Sequence, residues 1–260
     1  MTVITLLALA LAPIVFIFTY VYLKDKYDKE PLRYLIITFI LGICTAAPVL
    51  YVGEQLRIFT QTSAESSTII ELMIYAFFVV ATTEEGMKYL VLRFYNYPHK
   101  EFDEPYDGIM YGVAVSLGFA AIENVLYVFL SDGAGYQTGL LRMFTAVPAH
   151  AVFGVMMGYY VGHAKFIVEG DPMIERLKGL GMAILFHGLY DFFLFLPSSG
   201  VLEPESAWGS LALLAFVTLF VGIRLARKAM REHSAISPHK ETHDAATLLE
   251  EEEPPSNSET

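Results

Sequence analysis

The chain has 260 residues, 55% of them hydrophobic and 17% charged, with a positive mean hydropathy. Soluble domains carry roughly 25% charged residues, so this composition excludes a soluble protein and fits an all-α, polytopic membrane helix bundle. The formal charge of −11 sits largely in positions 232 to 260, which hold eight acids and one Lys, and no basic stripe remains to serve nucleic acid.

Seven apolar stretches are long enough to cross ~30 Å of hydrocarbon as helices, near 3 to 23, 32 to 52, 69 to 92, 107 to 130, 143 to 164, 179 to 197 and 207 to 226. The first has no basic residue before Lys24 and so lacks the charged start of a signal peptide. Cys44 lies in the second stretch, cannot form an internal disulfide, and reads as a small buried hydrophobe. The loops after stretches 1, 3 and 5 and the segment after stretch 7 together hold fourteen of the 17 Lys and Arg residues. The opposite loops hold only Arg57 and Arg142, and Lys88 lies inside stretch 3. Positive charge accumulates in cytoplasmic loops, which predicts seven crossings with the N-terminus outside and the C-terminus in the cytoplasm. Residues 1–230 then form one membrane domain with a motif core at 69–197. Residues 231–260, acidic and poor in apolar side chains, read as a disordered cytoplasmic tail. Small residues at four-residue intervals, Gly108, Gly112 and Ser116 in the fourth stretch and Gly154, Gly158 and Gly162 in the fifth, suit close helix contact in lipid.

Ionisable side chains within membrane spans cost from about 2.5 kcal/mol each and mark function. Here they recur in four consecutive stretches: Glu84, Glu85 and Lys88; Asp107, Glu123 and Asn124; His150; His187 and Asp191. At ~1.5 Å per residue, the carboxylates and imidazoles, Asp107 aside, fall in one layer near the midplane. His187 and Asp191, four apart, share a helix face, and His with carboxylate oxygens is an ordinary donor set for Zn²⁺. We therefore expect Glu123, His150, His187 and Asp191 to bind zinc, with Glu84 or Glu85 as general base for attack of water on a peptide carbonyl. Lys88 reads equally as a catalytic group or an ion-pair partner. Asn124 and Asp107 are expected to support the site, Asp107 also suiting a helix cap and Asn124 a bridge between helices. Pro148 is expected to kink the fifth stretch near His150. His99, His163, His233, His239 and His243 read as solvated. A divalent-cation or proton-coupled transporter would use similar residues, but such carriers often have duplicated halves and no internal repeat is visible.

Five motifs in order, Glu84-Glu85-x-x-Lys88, Asp107-Gly-x-x-Tyr111-Gly112, Gly118-Phe119-Ala-x-x-Glu123-Asn124-x-x-Tyr127, His150 before a glycine-striped helix, and His187-Gly-x-x-Asp191, resemble the PrsW family of intramembrane proteases. The resemblance covers residues 84 to 191. It implies a multi-pass endopeptidase of the bacterial cell membrane, distantly related to the type II CAAX prenyl proteases and the CPBP group. Glu123 stands where the prenyl proteases have His, which argues against a prenylated substrate. The resemblance further implies a membrane-spanning partner such as an anti-sigma factor, cleaved at a first site. It leaves open a zinc-free mechanism in which Glu84 or Glu85 activates water while His150, His187 and Asp191 contact the carbonyl.

Overall fold

The computed structural model describes residues 2–201 and 211–243, which are all helix, turn and loop with no strand among them. The elements are α1 (Val3–Lys24), α2 (Leu32–Cys44), α3 (Ala46–Thr60), α4 (Ile69–Met73), α5 (Thr82–Val91), α6 (Pro105–Leu130), α7 (Gly135–Phe144), α8 (Ala146–Phe166), α9 (Pro172–Phe195) and α10 (Leu213–Ala235). Between α4 and α5, residues Ile74–Ala81 continue the rod with wide π-helical turns, and Leu92–Asn96 do so after α5. Such turns often mark functional positions.

Five helical segments are long and apolar enough to cross a membrane: Val3–Lys24, Leu32–Thr60, Pro105–Leu130, Gly135–Phe166 and Pro172–Ser198. The rods at 69–96 and 213–235 correspond to the other two expected crossings. The first carries Glu84, Glu85 and Lys88, and the second turns basic from Arg224 onward.

Two of the long segments break at the same tetrapeptide pattern. Thr45-Ala-Ala-Pro48 divides α2 from α3, and Thr145-Ala-Val-Pro148 divides α7 from α8. A proline has no N–H to offer the carbonyl four residues earlier, so the carbonyls of Cys44 and Phe144 lose their helical partners. The threonine hydroxyls instead donate back, Thr45 to Gly42 O at 2.6 Å and Thr145 to Leu141 O at 2.8 Å. The expected distortion at Pro148 is therefore a break at Thr145, one turn before His150.

Helices α6 and α8 form the centre, and α1, α2, α9 and α10 pack around them. The small-residue stripes are the seam. A Cβ at Gly154 would stand 2.6 Å from the Gly112 carbonyl oxygen and 2.9 Å from Ser116 Oγ, so the two backbones touch directly. Outward positions such as Ile4, Phe59, Ile70, Phe94 and Leu130 are exposed apolar side chains, as lipid contact requires. Cys44 is exposed on that surface, not buried as expected, because α2 turns its other face to α6.

The loops after α1, α5 and α8 and the end of α10 meet at one end of the bundle. Lys165 Nζ donates to the carbonyls of Tyr97 and His99, both at 2.9 Å, and His239 lies 3.4 Å from Asp103 and 3.8 Å from Asp28. Helix α10 runs to Ala235, and His233 is not solvated as expected but buried, stacked on Tyr159 and 2.9 Å from Pro105 O. Ser237 is also buried and donates to Glu104. Local apolar content does not register this docking, since α6 and α8 supply the surface. Residues 244–260, the rest of the expected disordered tail, lie outside the described residues.

Besides Asp107 at the start of α6, three buried acids gather at this end. Asp25, Glu30 and Glu104 are each at most 3% exposed, and the Tyr111 hydroxyl donates to Glu30. Burial, reinforced by Glu104 and Glu30, pushes the Asp25 carboxyl up to about 8, and burial pushes Glu30 up to about 7. An acid whose folded pKa is raised holds its proton longer when folded, so stability falls as pH rises from about 4 through about 8. Asp25→Asn is expected to raise the Tm at pH 9 by several degrees relative to the parent and to change it little at pH 4. Thermal unfolding in detergent at both values tests this; an equal change at both would refute the assignment.

Candidate active site

The sequence puts Glu84 and Glu85 on the first turn of α5, directly after the wide turns of residues 74–81, with Lys88 one turn on. Thr82 Oγ1 donates to Phe77 O, five residues back, at 2.8 Å, which fixes this junction. Gly188 on α9 lets the Phe77 ring lie against the helix backbone, where a Cβ would meet ring carbons at 2.6 Å. That contact brings α9, with His187 and Asp191, beside Glu85.

Lys88 is the hub. Its side chain is fully buried, and Nζ donates to Glu85 Oε1 at 2.7 Å and Glu84 Oε2 at 3.2 Å and lies 3.3 Å from His150 Nδ1. The ammonium also sits 4.2 Å from the Phe119 ring centroid, an attractive placement for a cation. Phe119 meets the His150 ring edge-on at 5.6 Å, so the glycine-phenylalanine motif of α6 forms the floor of the site.

The hydrogen bonds fix how each imidazole works. His150 Nε2 lies 2.8 Å from Glu123 Oε2. A carboxylate only accepts, so Nε2 carries the proton and Nδ1 turns its lone pair toward Lys88, Glu84 and Glu85. His187 differs: Nδ1 lies 2.9 Å from Glu85 Oε1 and Nε2 lies 3.2 Å from Asp191 Oδ2, the arrangement of an imidazole that donates at both nitrogens. Its ring stacks on Phe153 at 4.7 Å.

A residue not singled out in the sequence completes the network. Arg142, at the end of α7, donates from Nη2 to Glu123 Oε2 and from Nε to Asn124 Oδ1, both at 2.6 Å, and stacks over the Tyr127 ring at 4.1 Å. Asn124 Nδ2 then donates to Ala10 O at 3.1 Å. The Glu123-Asn124-x-x-Tyr127 motif is thus a cradle for one arginine. The sequence signal was available: Arg142 is one of only two basic residues on the side poor in positive charge.

Of the expected site residues, Glu84, Glu85, Lys88, Glu123, Asn124, His150, His187 and Asp191 are joined in this network. Asp107 is not. Its Oδ2 accepts from the backbone N–H groups of Asp103 and Glu104 at 2.8 and 2.7 Å, capping α6. It lies sixteen residues from Glu123 on the same helix, about 24 Å away along the axis.

Three of these side chains are close enough together to suit a divalent ion. Glu84, Glu85 and His150 each present one atom within 4.8 Å of the others, and the buried Glu85 Oε2 has no hydrogen-bond partner. Glu123 instead sits behind His150, the position of a carboxylate that orients a ligating imidazole. Both nitrogens of His187 already face carboxylates. A second trio, Asp28, Asp103 and His239, lies at the loop end with its carboxylates exposed. Side-chain exposure within the network rises from 0% at Glu85 and Lys88 through 9% at Glu84 and 11% at Asp191 to 19% at Glu123, so the network is most open at Glu123.

The family model described as PrsW family intramembrane metalloprotease matches residues 30–223. The chain belongs to the PrsW family. It is 37% identical over 190 residues to Protease PrsW of Geobacillus kaustophilus, covering 73% of this chain and 80% of that one. It is 34% identical over 224 residues to Protease PrsW of Bacillus subtilis, covering 86% and 95%, and 35% identical over 225 residues to that of Clostridioides difficile, covering 85% and 88%. No solved structure matches the chain. Membership in the PrsW family makes it an intramembrane protease and a multi-pass protein of the bacterial cell membrane, acting on membrane protein substrates.

Proposed function

We propose that this PrsW family protein is a zinc-dependent endopeptidase that hydrolyses a peptide bond of a membrane-spanning protein such as an anti-sigma factor, with Glu84 as general base. The observation that carries the reading is the convergence of Glu84, Glu85 and His150 with their donor atoms within 4.8 Å of one another, beside a second imidazole, the buried Lys88 and the partly buried Arg142. The N-terminus lies outside and the C-terminus in the cytoplasm after seven crossings, supported by the gathering of the lysine-rich loops at one end of the bundle.

Glu84 is preferred over Glu85 on geometry. Glu85 is sealed, and its Oε1 is shared between Lys88 and His187. Glu84 keeps some exposure, and among the described residues its Oε2 hydrogen-bonds only Lys88, at 3.2 Å with His187 Nε2 4.0 Å away, and its Oε1 none. It can therefore take a proton from an attacking water and deliver it to the leaving amine. Glu85 and His150 Nδ1 would hold Zn²⁺ next to Glu84, and the ion when bound supplies Lewis acidity toward water and carbonyl. Glu123 holds His150 in the tautomer that frees Nδ1. Arg142 lines the more open side, where it can meet charge developing on the carbonyl oxygen, and the buried His187 adds positive charge from behind. Asp191 keeps His187 in place.

A metal-independent glutamate mechanism is favoured by one observation: Lys88 Nζ already contacts Glu84, Glu85 and His150, filling the role of the central cation. Elemental analysis of purified protein separates the two. The zinc reading expects about one ion per chain, reduced at least tenfold in His150→Ala, with reporter cleavage lost in His187→Ala. Metal-free protein with full, chelator-resistant cleavage would establish the second mechanism instead.

A further inference from the structure

Away from this network, an apolar cavity of about 500 Å³ opens between α1, α8 and α10. Pro13, Ile17, Val152, Val155, Ile223 and Ala226 are among its walls, and only Tyr20 and Arg227 bring polar atoms. Phe16 and Phe144 on its lining are 73% and 68% exposed, so the cavity is reached sideways from the hydrocarbon. At the loop end it shares Tyr20, Arg227 and Met230 with a second cavity of about 500 Å³, lined by Lys24, Lys26, Arg231 and Lys240, with Tyr27 and Ser234 adding hydroxyls. Among the described residues none of these five basic side chains is ion-paired with a carboxylate. The acids and bases that do pair nearby are Lys228 with Glu232 and His239 with Asp28 and Asp103.

We propose that these two joined cavities are a binding site for one anionic phospholipid, with an acyl chain lying in the α1–α8–α10 cavity and the headgroup phosphate among Lys24, Lys26, Arg227, Arg231 and Lys240. The charge complementarity selects the occupant. A neutral lipid leaves five unpaired cations unused, and a soluble phosphate leaves the apolar chamber unused. Basic pockets between membrane helices at the positively charged side are the kind of place where anionic headgroups bind, and each cavity falls within the usual size of small-molecule sites. The site is separate from the proteolytic network but shares a helix with it. Pro148 and Ala151 line the cavity on either side of His150, so an occupied cavity braces the segment of α8 that holds this histidine.

The test is retention of lipid by the purified full-length chain, read by native mass spectrometry and by equilibrium binding to nanodiscs of phosphatidylglycerol or of phosphatidylcholine. Phosphatidylglycerol is expected to remain bound and phosphatidylcholine to wash off. Arg227→Ala with Arg231→Ala should weaken phosphatidylglycerol about thirty-fold, and Ile223→Trp, which fills the chamber without touching the basic mouth, should weaken it at least tenfold. Arg93→Ala with Lys100→Ala, at the same end but outside both cavities, should leave it unchanged. Circular dichroism and thermal unfolding establish that each variant is folded; should Ile223→Trp fail to fold, Ala226→Phe replaces it. Equal retention of both lipids, full binding by a folded chamber-filling variant, or equal competition by inorganic phosphate would each overturn the proposal. So would binding only after residues 244–260 are removed, which would assign the mouth to the chain's own acidic end.

Discussion

Glu84→Gln is expected to lower cleavage of a reporter substrate by about a thousandfold or more while leaving the Tm in detergent close to that of the parent. General acid–base catalysis contributes about 10²–10⁴, and an amide at this position can neither take a proton nor neutralise Lys88. The fold should survive because Glu84 is less engaged than Glu85, hydrogen-bonded to Lys88 at 3.2 Å with His187 Nε2 4.0 Å away. Glu85→Gln makes the contrast. It removes charge from a fully buried group that faces both Lys88 and His187, and breaking one partner out of a buried ion pair costs roughly 3–5 kcal/mol. That variant should lose both activity and thermal stability. Unchanged cleavage by Glu84→Gln would remove the assigned base, and a large fall in its Tm would mean Glu84 is structural.

The second large effect is expected at the α6–α8 seam. Gly158→Val should leave little folded protein in the membrane, because a Cβ there would overlap the Gly108 carbonyl and stand 2.8 Å from Cα of Ile109. Both obstacles are backbone, so no side-chain rotation relieves them and the helices must part. Overpacking costs about 1–3 kcal/mol where side chains can yield; here the upper end or more applies, since parting the pair disturbs His150 and Glu123 together. Gly181→Ala, which meets nothing within 4 Å, is the matched control and should be neutral. Folded yield and Tm in detergent decide it, and a normal Gly158→Val protein would show that the seam is not closely packed.

The apolar rods and the polar layer were legible because lipid imposes its demands residue by residue: length, apolarity and the cost of charge are local properties. Partner choice is not local. Glu123 and His150 are both ordinary zinc donors by type. Glu123 lies 2.8 Å from the His150 nitrogen facing away from Glu84 and Glu85, and no spacing in the sequence reveals which nitrogen points where. Arg142 was visible only as a charge counted against a rule, although its position on the sparsely charged side was itself the clue. Asp107 was legible for a local reason: its place after Pro105 suits a helix cap, and its Oδ2 accepts from the N–H groups of Asp103 and Glu104. The docking of residues 233 to 237 was hidden because the groove that receives them is built from helices far away in sequence.

The wide turns at Ile74–Ala81 bear on how relatives of this chain are compared. Each π-helical turn uses about one residue more than an α-helical turn, so a helical wheel of constant pitch drawn through residues 69–91 falls out of phase by roughly 100° per inserted residue. Such a wheel points the two glutamates toward the wrong neighbours. A single-residue gap placed in this stretch by an alignment is therefore a shift of angle between lipid and interior, and it should be judged by whether the acid pair still faces the histidine of α9.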